Sequence, residues 1–381
     1  MRFAGWSRGT YNQVNEDNLT CKPVMLRVSG QKSIDKTKIR RILIRTTNWV
    51  GDLVMTTPAI EAVRRNFPES TLTVLARPWV KPLLENLPAV NHVLPLETGN
   101  GYFSHAVEII KTARLLRRMK FDLAIIFQNA FEAALLSYLG GVRFRIGYNT
   151  DGRGFLLSHS VIRDEEVLRV HQVEYYLSLL KAMGWEAESR NPRLFVAEED
   201  KEVIHSLLSS KGIGQDHLLL GLSPGAVYGP AKRWPAERFA AVGDWAADRW
   251  GAKIVVMGSQ GEMGICGAVG HSMRHDSVNL CGRTRLGEAM ALIERCQFFV
   301  TNDSGLMHIA AALNVPMVAL FGSTDPVATG PRSEMARIVQ KPVECAPCLK
   351  PECPTDYRCM LGIEPHDVWK EMERLRQMLD S

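Results

Sequence analysis

The 381 residues carry 46 Lys and Arg against 41 Asp and Glu, and 46% of them are hydrophobic. A chain of this length can bury more than one core, and at roughly 100–200 residues per domain two domains are expected. The net charge of +5 is too mild to imply a nucleic-acid partner, and no apolar run reaches the ~18 residues of a membrane span.

Residues 1–38 are polar and aperiodic, so a disordered extension is expected there. Their start lacks the apolar core of a secretory signal, which points to the cytoplasm. Order is expected to begin at the apolar run Arg41–Thr46, the first of five short strands at 41–46, 71–75, 92–96, 121–127 and 143–147. Helical spacing falls between them at 57–66, 79–87, 104–119 and 131–139, with a further helix over 168–184 ending at Gly184. Strands alternating with helices predict a parallel sheet covered on both faces. A polar stretch around Pro192 reads as the linker. A second alternating series follows, with strands at 217–222, 253–257, 297–301 and 316–320 and helices at 235–250, 286–295 and 304–313. The tail 364–379 reads as one amphipathic helix entered through Pro365. The expected fold class is α/β, with a first domain over 39–185, a second over 190–362 and a terminal helix over 363–381. Two such Rossmann-like halves place a ligand cleft between them, at the carboxyl ends of the strands.

Three strings at strand ends carry the chemistry. After the first strand comes Asn48-Trp49-Val50-Gly51-Asp52, with Thr57 and Pro58 read as the cap and first residue of the next helix. Asp52 either caps its turn or acts as a general base toward a hydroxyl in the cleft. The second string runs from Ser223 through Gly225, Ala226 and Gly229 to Lys232 and Pro235. Its glycines allow close backbone approach and Lys232 adds a fixed charge, which suits a diphosphate or simply makes a basic loop. The third is Thr301-Asn302-Asp303-Ser304-Gly305-Leu306-Met307-His308, where Asp303 and Ser304 can cap a helix. Gly305 leaves its first turn open for an anion, and His308 lies one turn on, on the Ser304 face. Phe321–Pro326 could add a further wall.

Two clusters remain. Lys111, Arg114, Arg117 and Arg118 share a helical face beside Lys120, with Arg143, Arg145 and Arg153 soon after. They form either a solvated face or a docking surface for an anionic lipid headgroup, with Arg114, Arg117, Arg118, Arg143 and Arg145 as candidate acceptor contacts. Cys345, Cys348, Cys353 and Cys359 fall within fifteen residues, and either hold a structural zinc, form two disulfides or sit reduced in a Pro-rich loop. The Gly-x-Gly-x-x-Gly fingerprint of a nicotinamide dehydrogenase is missing after the strands at 41–46 and 217–222.

The strings Gly51-Asp52 with Thr57-Pro58-Ala59, Pro224-Gly225-Ala226 with Ala231–Pro235, and Asn302–His308 resemble glycosyltransferase family 9, and within it the heptosyltransferase II group. The resemblance spans Arg41 to about His366. It implies a GT-B architecture of two facing Rossmann-like domains, with the C-terminal helix returning to the first. It also implies an ADP-heptose donor and a lipid A-linked Kdo/heptose acceptor met at the cytoplasmic face of the inner membrane. By the same resemblance Asp52 is the catalytic base, Lys232 the donor-phosphate contact and Glu262 the ribose contact. Asp303, Ser304, Gly305 and His308 then grip heptose and diphosphate. No Asp-x-Asp motif stands near the donor strings, so neither a divalent metal nor another cofactor is expected in catalysis.

Overall fold

The computed structural model describes residues 27–30, 33–97, 99 and 101–380. Two parallel sheets organise them. The first contains β1 (Val28–Ser29), β2 (Arg41–Arg45), β3 (Thr71–Ala76), β4 (His92–Pro95), β5 (Leu123–Ile126), β6 (Phe144–Tyr148) and β7 (His159–Val161). Its spatial order is β1-β7-β6-β5-β2-β3-β4, with only the β1–β7 pair antiparallel. The second contains β8 (Leu219–Ser223), β9 (Lys253–Val256), β10 (Ser277–Asn279), β11 (Phe298–Asn302), β12 (Met317–Phe321) and β13 (Ala336–Gln340), in the order β10-β9-β8-β11-β12-β13.

Ten longer helices cover these sheets. They are α1 (Val50–Asn66), α2 (Tyr102–Met119), α3 (Phe131–Leu139), α4 (Gln172–Lys181), α5 (Glu198–Ser210), α6 (Ala236–Trp250), α7 (Met263–Ser272), α8 (Leu286–Arg295), α9 (Gly305–Ala312) and α10 (Pro365–Asp380). The central strands are buried on both faces, which is why β2, β5, β8, β11 and β12 read as continuous apolar runs rather than alternating ones. Strand order reverses between β2 and β5 in one sheet and between β8 and β11 in the other. Ligands bind at such switch points, outside the strands' carboxyl ends.

Several expectations need correction. The extension is not wholly without structure: Val28–Ser29 pairs with Ser160 and Val161, and Lys36–Lys38 form a 3-10 turn capped by Asp35. Residues 1–26 lie outside the described residues. Helix α1 begins at Val50, seven residues before Thr57, so Thr57 and Pro58 lie inside it. An internal proline normally leaves the carbonyl four residues back without its donor. Here that carbonyl, Val54 O, accepts the Thr57 hydroxyl at 2.8 Å. The span 168–184 holds a shorter helix, α4, because the His171 side chain accepts from the Val173 N–H at 3.1 Å and caps it there. Gly184 lies past its end at φ +69°.

The C-terminal helix does not return to the first half. Val368, Met372 and Leu375 of α10 are buried in the core of the second sheet with Trp234 and Phe239, and Trp369 stacks on Trp245 at 5.6 Å. Each fully buried apolar side chain contributes about 1.5–3 kcal/mol, enough to fix the helix on that face. The halves meet instead through α1 and α9, whose buried residues belong to one apolar cluster. Polar links add to this: His171 Nε2 lies 2.9 Å from Gly330 O, and Arg332 pairs with Glu174 at 3.3 Å.

Candidate functional site

The α1–α9 contact is a meeting of two helix N-termini, each following the carboxyl end of a central strand. It is tight because glycines stand at the crossing. A Cβ on Gly51 would lie 2.7 Å from His308 Cδ2, and one on Gly305 would lie 3.0 Å from the Val50 side chain. Gly305 is therefore glycine because α1 packs there, where sequence reasoning assigned its open space to an anion. His308 is buried against the same contact, and burial holds its imidazole down at about 4, neutral at physiological pH.

Asp52 sits in the first turn of α1, where the helix dipole favours a carboxylate. Burial outweighs this. It raises the Asp52 carboxyl above the ordinary value, Lys232 opposes the rise, and Asp303 reinforces it. Asp52, from the first half, is thus within electrostatic range of Lys232 and Asp303 from the second. The buried Tyr176 of α4, a helix that packs against α1, also feels the Asp52 charge. A carboxylate shifted upward by desolvation, with a fixed cation nearby, is suited to accepting a proton.

Asp303 does not cap α9. Its Oδ2 takes the Lys232 ammonium at 2.6 Å and the Thr324 hydroxyl at 2.7 Å. Ser304 is the cap, its Oγ accepting from the Met307 N–H at 3.4 Å. Lys232 also lies 4.8 Å from the centre of the Tyr228 ring. The ammonium is thus held by one carboxylate and one aromatic face, with Asp52 in range.

The loop carrying Lys232 is tied down on three sides. Asn302 donates to Pro224 O at 2.8 Å and accepts from the Trp234 N–H at 3.2 Å. The Ala231 N–H donates to Pro351 O at 3.0 Å, and the Tyr228 hydroxyl to Leu349 O at 2.7 Å. Glu262 stands across from Gly225. Its Oε2 accepts from the Ser259 N–H and hydroxyl, both at 2.7 Å. Its Oε1 faces Gly225, where an added Cβ would come within 2.1 Å. Gly225 is required by that approach, and Ala226 beside it is buried. Next to this loop the Arg233 Nε and the Ser323 hydroxyl are buried without a partner.

Sequence reasoning left Asn302, Thr324 and Tyr176 without roles. Asn302 and Thr324 stood in strings already singled out, but the partners that reveal their work lie 68 and 21 residues away. Tyr176 gave no local signal.

Of the basic cluster, buried Arg153 bonds the Gln128 and Ala130 carbonyls at the carboxyl end of β5, but the five candidate acceptor arginines do not reach this site. Arg117 and Arg118 stand in the last turn of α2. The carbonyl of Met119 is bonded by Arg41, the first residue of β2, at 2.7 Å. That is the amino edge of the sheet, opposite Asp52, because a helix following a strand runs back antiparallel to it. Arg114 lies one turn earlier on the same exposed face, and Arg143 precedes β6 at the same amino edge. Arg145 is spent internally on the carbonyls of Leu156, Val142 and Arg143. The five arginines therefore do not form an acceptor sugar site beside Asp52.

Cys345, Cys348, Cys353 and Cys359 line one cavity of about 180 Å³ with Ala231 and Ser323. All four are free thiols, and among the described residues no three His, Cys, Asp or Glu side chains converge as a metal site. The observed work of this segment is to hold the Lys232 loop through Leu349 and Pro351.

Comparison with known proteins places these features in a wider set. The model of glycosyltransferase family 9 (heptosyltransferase) matches residues 109–358. The lipopolysaccharide heptosyltransferase 2 of Escherichia coli is 32% identical over 350 residues, covering 88% of this chain and 98% of that protein. The lipooligosaccharide heptosyltransferase 2 of Haemophilus influenzae is 32% identical over 308 residues, covering 78% and 88%. Among solved structures, the E. coli ADP-heptose lps heptosyltransferase II superposes with a TM-score of 0.76 at 29% identity, over 90% of this chain and 100% of that one. A family 9 glycosyl transferase from Veillonella parvula gives a TM-score of 0.82 at 24% identity, over 93% and 100%.

Proposed function

Because this chain belongs to glycosyltransferase family 9, we propose that it transfers L-glycero-D-manno-heptose from ADP-heptose to the heptosyl-Kdo2-lipid A inner core of lipopolysaccharide. It is a glycosyltransferase of GT-B architecture. Its relatives are named as lipopolysaccharide or lipooligosaccharide heptosyltransferases. The observation that carries the mechanism is the electrostatic coupling of Asp52, on the first half, to the bonded Lys232–Asp303 pair of the second.

In this reading residues 39–185 receive the acceptor and 190–362 hold the donor. Asp52 takes the proton of the acceptor hydroxyl as its oxygen bonds to the anomeric carbon from the face opposite ADP. The bond from that carbon to the phosphate oxygen breaks, and ADP departs with the electron pair, so the centre inverts. Lys232 exchanges part of its contact with Asp303 for the leaving diphosphate. The first turn of α9, capped by Ser304, adds the positive end of a helix dipole. Glu262 Oε1 and Gly225 form the wall against which the ribose rests. Asp303 and His308 border the heptose, His308 as a neutral ring. With charge neutralised by Lys232 and a helix end, the reaction is proposed to need no divalent metal.

Among the described residues no helix is long and apolar enough to cross a membrane. Contact with the inner-membrane surface is proposed through α2. There the exposed Phe103, Val107 and Ile110 continue at helical spacing into Arg114 and Arg117, with Arg118 beside them. Apolar residues above a basic stripe suit an anionic leaflet.

Mass spectrometry of a reaction containing ADP-heptose and heptosyl-Kdo2-lipid A tests the assignment. One added heptose is expected, in the presence of chelator as in its absence. A chain that binds ADP-heptose yet adds nothing to this acceptor would contradict it.

A further inference from the structure

Two guanidiniums, Arg45 and Arg77, stand within electrostatic range of each other in the acceptor half of the cleft. Strand β2 ends on Arg45, whose side chain is buried. Its Nη1 donates to Thr46 O at 2.5 Å and Leu75 O at 3.4 Å, and its Nη2 to Asn48 Oδ1 at 3.0 Å. None of these acceptors is a carboxylate, and the Arg45 Nε is buried with no partner. Beside it, one residue past β3, stands the half-buried Arg77, which donates to Leu96 O at 3.3 Å and lies over the exposed Trp79 ring. The nearby acid is Glu132, already bonded to His105 at 2.8 Å. Burial and the Arg77 charge push the Arg45 guanidinium down to about 9. Arg45 thus has a like charge beside it and no carboxylate among its bonded partners, and a buried charge without a bonded counter-charge is costly unless a ligand completes it.

The position matters as much as the charge. Thr47 follows β2 and Gln128 follows β5, on the two sides of the crevice where the strand order reverses. The Thr47 hydroxyl and the Gln128 Oε1 are both buried and unpartnered. Three of the unsatisfied buried polar atoms of the described residues therefore gather at one end of the crevice that Asp52 borders: a cationic donor, a hydroxyl and an amide oxygen. Native structures keep such atoms where a ligand or a function uses them.

We propose that Arg77, backed by the buried Arg45, is the anion-recognition point of the acceptor half, taking a carboxylate or phosphate of an acidic acceptor glycan. Thr47 and Gln128 bond hydroxyls of the same glycan, which sets the register of the attacking hydroxyl against Asp52. This rests on the transferase reading, and it names the acidic group as the feature by which the acceptor is selected. Arg77 is the contact, and Arg45 fixes the local charge.

The test measures binding, so it needs no turnover. The deacylated heptosyl-Kdo2 glycan bearing its lipid A phosphates is titrated into the full chain by calorimetry, with two further forms, one with its Kdo carboxylates reduced and one dephosphorylated. Arg77→Ala is expected to weaken the intact glycan about 10–100-fold, the scale of a charge-assisted bond, while ADP binding stays unchanged. Arg77→Lys is expected to recover part of the loss. One of the two modifications is expected to weaken wild type equally and to abolish any further effect of Arg77→Ala, which identifies the acid as carboxylate or phosphate. An unchanged Kd for Arg77→Ala with the thermal midpoint intact would overturn the proposal. So would a loss that persists undiminished on both modified glycans. Failure of heptose transfer with these binding differences present would instead count against the transferase reading.

Discussion

Replacing Lys232 with Ala perturbs the site in two separable ways. Its ammonium is bonded to Asp303 at 2.6 Å in a largely buried setting. Removing one partner of a buried ion pair costs about 3–5 kcal/mol when the other is left uncompensated. Asp303 keeps the Thr324 hydroxyl at 2.7 Å, so the low end, near 3 kcal/mol, is expected. If Lys232 also neutralises the departing diphosphate, the chemical step slows by about 10²–10³. A third effect has a definite sign. Lys232 holds the Asp52 carboxyl down against burial and Asp303, so without it Asp52 binds its proton more tightly. The acid limb of the single-turnover rate then moves to higher pH. Thermal unfolding and single-turnover transfer from pH 5 to 9, with saturating ADP-heptose, read all three. Normal transfer with an unmoved acid limb would refute the reasoning, even with stability reduced.

Gly225→Ala brings a Cβ within 2.1 Å of Glu262 Oε1, so the Ser259–Glu262 turn must move. ADP affinity is expected to fall at least tenfold by calorimetry with the acceptor affinity unchanged, and an unaffected ADP Kd would remove Glu262 and Gly225 from the donor wall. His171 and His308 are both held at about 4, against an ordinary 6.5, by burial. A folded-state value below the unfolded one means that unfolding takes up protons, so this share of stability is complete above pH 6.5 and is lost as pH falls toward 4. His308→Gln is expected to flatten the decline of the thermal midpoint between those limits, and a decline of unchanged slope would show that His308 is not buried neutral. Reversing Arg114, Arg117 and Arg118 to Glu is expected to abolish sedimentation with anionic vesicles while leaving the transfer rate to a deacylated acceptor unchanged, and vesicle binding that survives would rule out α2 as the docking face.

Much of the frame was legible in the sequence because the central strands are covered on both faces and therefore read as unbroken apolar runs. Two outlying strands were not: His159–Val161, next to an edge, and Ser277–Asn279, at an edge, are short and partly polar, and only their neighbours make them strands. The start of α1 was misplaced because Thr57-Pro58 is a good local helix opening, and its use inside a helix depends on Thr57 serving the Val54 carbonyl. The three site strings were found by their glycines and charges at strand ends, yet two of those glycines serve the α1–α9 contact, which no local pattern reveals. The basic residues of α2 were visible as a face, but which edge of the sheet they reach depends on topology. Likewise α10 shows an apolar stripe without saying which half buries it.

The central claim is that Asp52 removes the acceptor proton. Asp52→Asn keeps the shape and removes the basicity, and the measurement is single-turnover heptose transfer with ADP-heptose affinity read on the same preparation. The account predicts nearly unchanged donor binding and a chemical step slower by about 10²–10⁴. Relief of the buried charge is also expected to raise the thermal midpoint at neutral pH, because burial disfavours the ionised Asp52. An Asp52→Asn protein that transfers heptose at a near-normal rate would contradict the account, whatever its stability.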